Sequence, residues 1–260
     1  MKFPSTSHPQ RLRGLTLIEL VVVLAILVAL VGLVLAFFPG LVARASRSTA
    51  ASSIQDIARA VQINYTTTLS YGSGYDSLLN SGGAALYSGL TPSASNQLAR
   101  VTLSANDATA LTAIGIGTIY HLSQITGASP DATFAVTATN SAIGIATATP
   151  VAAISSSATS LQQSLRGNYT PTGTPTYVVF GLNRYASIVG GNSILQDAPV
   201  RAGTTSSENP TTSYQRYGLV FLIDDSGVGG ARNARFLNAV AFTSTGITTA
   251  ENNLQQYFAN

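Results

Sequence analysis

The chain of 260 residues has no cysteine and only two histidines, His8 and His121. The first absence excludes disulfides and thiolate chemistry, and it removes the clustered cysteine–histidine metal site as well. The second leaves His121, in TIYHL, as the one imidazole beyond the first 13 residues. No G-x-S-x-G turn frames a serine beside it, so the chain reads as a non-enzyme and His121 as a structural or surface residue. Charge is also scarce: 9% of residues are charged, against roughly 25% in a typical soluble domain. The formal charge of +3 looks basic, but Lys2, Arg11 and Arg13 supply three of the 13 positive charges. Without residues 1–14 the remaining 10 basic residues meet 10 acidic ones. No basic footprint for nucleic acid is left, and no nucleic-acid partner is expected.

What is present in excess lies near the front. Leu20 to Ala43 contains no charged residue and is dominated by leucine and valine on every side. A soluble core helix would keep a polar face, and about 20 apolar residues suffice to cross a bilayer. The composition therefore predicts a membrane-spanning helix over 15–43. Gly32, Pro39 and Gly40 are the candidate kink positions within it. Beyond, Ile54, Ile57, Ala58, Val61 and Tyr65 recur at helical spacing, which predicts an amphipathic continuation to about residue 70. One acid, Glu19, stands at the front of the apolar run. A carboxylate inside a membrane helix costs about 2.5–3.5 kcal/mol on insertion scales, so Glu19 calls for a cationic partner.

The arrangement around that acid is a basic leader, then Gly14-Leu15-Thr16-Leu17-Ile18-Glu19, then the apolar run. It resembles the class III signal of type IV pilins and type II secretion pseudopilins. The resemblance covers about Arg13 to Tyr65 and implies several things. A prepilin peptidase of the membrane would remove residues 1–14, cutting between Gly14 and Leu15, and N-methylate Leu15. The family's usual first residue is phenylalanine, so Leu15 is a departure. Many members carry proline where Ala36 stands; here Pro39 comes three residues later. The new ammonium of Leu15 and the carboxylate of Glu19 would be i and i+4 on one helix face, within one subunit or between neighbours, which makes Glu19 an assembly contact. The other partners implied are further pilin or pseudopilin subunits, an inner-membrane assembly platform and membrane lipid. The implied location is the bacterial inner membrane, single-pass, with the head in the periplasm, before entry into a periplasmic or extracellular filament. A secretion pseudopilin is the leading reading. A pilus pilin, major or minor, in adhesion, motility or DNA uptake is its alternative, and a non-polymerising membrane-anchored or secreted binding protein is the alternative of another class. An ordinary secretory signal, cut after Ala43-Arg44-Ala45, competes for the same residues, but the apolar run exceeds the 7–15 residues of such a signal.

Four glycines in Tyr71 to Gly83 close the helix, and residues 71–260 are expected to form the head. Its first half is rich in alanine, serine and threonine, with short β-prone pieces such as Thr133–Thr137. Its second half shows clearer strands in Thr176–Leu182, Gly218–Ile223 and Arg235–Thr243. The fold class is thus α+β: a long N-terminal helix packed on a β-rich, pilin-like head with an antiparallel sheet. Asp224 and Asp225, in the turn after the second of these strands, are the candidates for a calcium loop. A hairpin turn is the preferred reading, with no cofactor and no metal expected. Arg216, Arg232 and Arg235 are candidates for a local basic face.

Overall fold

A computed structural model describes residues 17–80, 82–86, 90, 97–121, 141–191, 193–201, 214–243 and 246–258, with the side chains of 34–39, 141 and 257 left out. The β-prone piece Thr133–Thr137 lies outside the described residues. The chain forms two compact units, Met1–Val42 and Ala43–Asn260.

The first element is the helix α1, Leu17–Thr68. In the first unit its described side chains are exposed on every side, from Leu17 (82%) to Leu33 (63%), and apolar except for Glu19. In the second unit the same helix buries a single stripe. Ala51, Ile54, Ile57 and Val61 are buried, and Tyr65 stacks on Tyr71 at 4.2 Å between centroids. Spacing of three and four places these residues on one face, and full burial of each large one contributes about 1.5–3 kcal/mol.

The rest of the second unit is β1 (Tyr75–Asp76), β2 (Leu98–Thr102), α2 (Ala105–Ala113), β3 (Thr118–His121), β4 (Ser141–Gly144), β5 (Pro150–Ile154), α3 (Thr159–Arg166), β6 (Thr176–Gly181), β7 (Tyr217–Asp224), β8 (Asn233–Phe242), β9 (Ile247–Thr248) and α4 (Ala250–Phe258). Helix α2 starts at a capping box. The Ser104 hydroxyl accepts from the Asp107 amide, and the Asp107 carboxylate accepts from the Ser104 amide; such a cap is worth about 1 kcal/mol.

Among the described residues, nine strands make one sheet that forks at β6. The main path runs β4-β3-β1-β6-β7-β8-β9, and a side branch carries β5 and β2. β1 meets β6 at Asp76↔Gly181, while β5 meets the same strand at Ala152↔Val179 and Ala153↔Val178. Both faces of the sheet are covered, which is why β6 and β7 read as unbroken apolar runs. Val178, Phe180, Leu219, Phe221 and Ile223 point to the core shared with α1 and α2. Tyr177, Val179, Val220 and Leu222 point to the core shared with α3. Two glycines stand directly opposite, Gly181↔Gly218, because rings fill the space a Cβ would take. A Cβ at Gly181 would lie 2.7 Å from the Tyr214 ring, and one at Gly218 2.7 Å from the Phe242 ring. Those rings pack edge to face at 5.1 Å.

Two expectations are corrected here. No helix among the described residues is long and apolar enough to cross a membrane. The transmembrane first half of the helix, and the single-pass inner-membrane placement resting on it, are therefore not supported. The sheet, in turn, is mixed rather than antiparallel, because β1 and β3 pair in parallel, Tyr75↔Ile119 and Asp76↔Tyr120. The connection between them contains β2 and α2, long enough to bring the chain back in the same direction, as parallel pairing requires.

Candidate functional site

Gly14 and Leu15 lie outside the described residues. Glu19 is exposed in the first turn of α1, where a carboxylate interacts favourably with the helix dipole. It is the one charged residue between Leu17 and Ala43, so it punctuates an otherwise apolar cylinder. Gly32, Pro39 and Gly40 all fall inside α1, which stays helical through them. A proline can sit within a helix when the hydrogen bond it forgoes is tolerated. A helix surface of leucine, isoleucine and valine, more than half exposed at each of Leu17, Ile18, Leu20 and Leu33, is the kind of patch that marks a contact surface.

The carboxylates after β7 are occupied by the protein itself. Asp224 is fully buried. One of its oxygens accepts from the Tyr169 hydroxyl at 2.5 Å, and the other from the Ser226 hydroxyl at 2.6 Å. Burial works to raise its pKa, but the bonds from Ser226, Tyr169 and Thr172 outweigh that and hold it below the ordinary carboxylate value. Asp225 accepts from Arg232 at 2.9 Å. Among the described residues no group of three or more histidine, cysteine, aspartate or glutamate side chains is placed to hold a metal. Donor-saturated and ion-paired oxygens do not fit a calcium loop, which wants six to eight unclaimed oxygens. The three arginines do not form a common basic face. Arg216 is buried, Arg232 bridges Asp107 and Asp225, and Arg235 lies 3.9 Å over the Tyr169 ring.

The sequence reading missed a buried polar cluster at the fork. Asp76 is fully buried where β1 joins β6. Its carboxylate accepts from Asn183 Nδ2 and from the Tyr214 hydroxyl, both at 2.5 Å. Burial pushes its pKa up to about 7, against the opposing pull of those two bonds and of Arg216. Burial, followed by the neighbouring carboxylate, holds the Tyr214 hydroxyl well above its ordinary range. On the other side of β1, Ser77 Oγ lies 2.7 Å from His121 Nδ1. Burial depresses the His121 pKa, partly offset by the Leu79 backbone. Serine, histidine and aspartate thus lie close together, but Asp76 turns towards Tyr214 and Asn183 rather than towards the imidazole. Ser77 and His121 are themselves closed to solvent. The arrangement orders a junction and leaves no hydroxyl open to a substrate. A lone DSLL in a Gly-rich stretch gave no warning of this, since its partners stand 107 and 138 residues away.

No family model, no curated protein and no solved structure matches the chain.

Proposed function

We propose that this chain is the structural subunit of a type IV pilus-like filament, processed between Gly14 and Leu15 and assembled through its N-terminal helix. A type II secretion pseudopilin is the leading form of this reading. The observation that carries it is α1 itself: an apolar, exposed helical surface over Leu17–Leu33, with one acid in its first turn, following a basic segment that ends in glycine. An all-apolar helix is stable in water only when covered, and like helices packed side by side cover one another. The Leu15 ammonium freed by cleavage would neutralise Glu19 in that packing, and the head would decorate the outside. Prepilin peptidase, other subunits and an assembly platform are the partners of this reading. No part of the reading asks the chain to supply chemistry.

Mass spectrometry of protein from the native host tests it. The expected mature terminus is N-methylated Leu15; an intact Met1, or a terminus at Ser46, overturns it. Glu19→Ala is expected to be cleaved normally yet to lose sedimentable filament by at least about tenfold. Wild-type filament levels in that variant would remove Glu19 from assembly. Exoprotein release against twitching, in a deletion strain, separates the pseudopilin from the pilus pilin.

A further inference from the structure

We propose that the groove between α1 and α4 binds a neutral oligosaccharide. The groove is a cavity of about 650 Å³, within the roughly 300–1,000 Å³ of small-molecule sites. Every residue lining it belongs to the second unit. One wall is α1, where Gln55, Arg59 and Gln62 stand at i, i+4 and i+7. That spacing puts three long polar side chains on one helix face. All three are exposed and, among the described residues, none makes a hydrogen bond or ion pair. The other wall is α4, where Gln255 Nε2 donates to one oxygen of Glu251 at 3.4 Å. This bond orients the carboxylate and leaves its second oxygen open to a donor. Between the helices, Asn238 of β8 accepts from the Ala239 amide through Oδ1, so its Nδ2 is left to donate. Ala58, Ala250 and Leu254 add apolar surface among these groups.

Charge and backbone geometry choose the occupant. Arg59 and Glu251 are the two charged residues of the lining. No ion pair joins them, and their formal charges cancel. A neutral ligand therefore meets one strong donor and one strong acceptor, each worth more than an uncharged partner. The side-chain amides supply both donors and acceptors beside them. A sugar has the reciprocal make-up: hydroxyls that each donate and accept around its edge, and apolar C–H faces. A peptide fits less well. An extended peptide adds to a sheet edge, and β8, the one strand in the lining, is bulged at this point, where Val220 pairs with Asn238 but Phe221 with Phe236. A bulge interrupts the ladder such a peptide needs. The backbone groups of both helical walls are largely spent within the helices. A helical peptide seeks a row of apolar pockets, and the polar side chains of α1 and α4 stand where those would be.

Calorimetric titration of the purified full chain tests this. The neutral probes are maltotriose, cellotriose and triacetylchitotriose; trigalacturonate and a blocked, uncharged hexapeptide are the competitors. At least one neutral trisaccharide is expected to bind with a Kd of about 1 mM or tighter. Arg59→Met and Glu251→Gln are each expected to weaken that binding by at least about tenfold, with near-ultraviolet circular dichroism unchanged. Asp56→Asn, which removes an exposed charge of α1 outside the groove, is expected to leave it as it was. Silence with all three neutral sugars overturns the proposal, as does tighter binding of trigalacturonate or of the hexapeptide. Affinity unmoved by both groove substitutions, or lowered as much by Asp56→Asn, overturns it too. The groove asks nothing of the Leu15 terminus or of sedimentable polymer, so this proposal and the filament reading can each fail alone.

Discussion

A carboxylate with no solvent exposure, held by one amide and one phenol, makes Asp76 the residue on which the pH behaviour of the head turns. Its pKa rises on folding from the ordinary 3.8 to about 7. Between those values the folded chain binds more protons than the unfolded one, so the contribution of Asp76 to stability falls as pH rises through that window and is least favourable above it. His121 has the opposite sign, because its depressed pKa costs stability only as pH falls below its ordinary 6.5. Asp107 and Asp224, both held low, lose their contribution only in acid, below the usual carboxylate range. Asp76→Asn isolates the first effect, since an amide keeps the shape of the neutral acid and can still accept from Asn183. We expect the variant to melt above the wild type at pH 8, with the gap closing at pH 5. A gap independent of pH would show that Asp76 does not titrate in this window.

Among the elements, Arg232 ties the start of α2 to the segments flanking β6 and β7. Its guanidinium donates to Asp107 and Asp225 and to the Thr174 carbonyl, at 2.7–3.0 Å, and its side chain is 14% exposed. Arg232→Met keeps most of the bulk and leaves two carboxylates without their cation. The expected cost is about 2 kcal/mol, read as a shift in the urea midpoint at pH 7. The cost should shrink only in strong acid, below the usual carboxylate range, where Asp107 takes up its proton. At this scale the sequence was partly legible. The stripe of Ile54, Ile57 and Val61 is the face that α1 buries, and the strands read in Thr176–Leu182, Gly218–Ile223 and Arg235–Thr243 coincide closely with β6, β7 and β8. The bulge in β8 was not legible. Val220 pairs with Asn238 but Phe221 with Phe236, so Leu237 is left over and the inward face passes from even to odd positions. A run of apolar residues on a doubly covered strand carries no alternation from which such a slip could be read.

For the molecule as a whole, the two compact units make different demands on water. The second, Ala43–Asn260, contains both cores and every described strand, whereas the first exposes its described apolar side chains. A chain beginning at Ala43 is therefore expected to fold cooperatively and remain monomeric, and the full chain to associate. Sedimentation velocity and thermal unfolding of the two forms check this. Loss of the cooperative transition in the shorter form would mean that residues before Ala43 carry part of the fold. Local order alone settled some things: where the long helix turns from apolar all round to one-sided, that the segments of β6, β7 and β8 are strands, and that one acid interrupts the apolar run. Those are matters of spacing between near neighbours. Only the tertiary structure decided that the sheet is mixed and forked, that Asp76 is the buried acid at the fork, and that Asp224 and Asp225 are claimed by Tyr169, Ser226 and Arg232. Each of these depends on groups brought together from distant parts of the chain, or on how much surface remains uncovered once they meet, and neither is encoded in the spacing of neighbours.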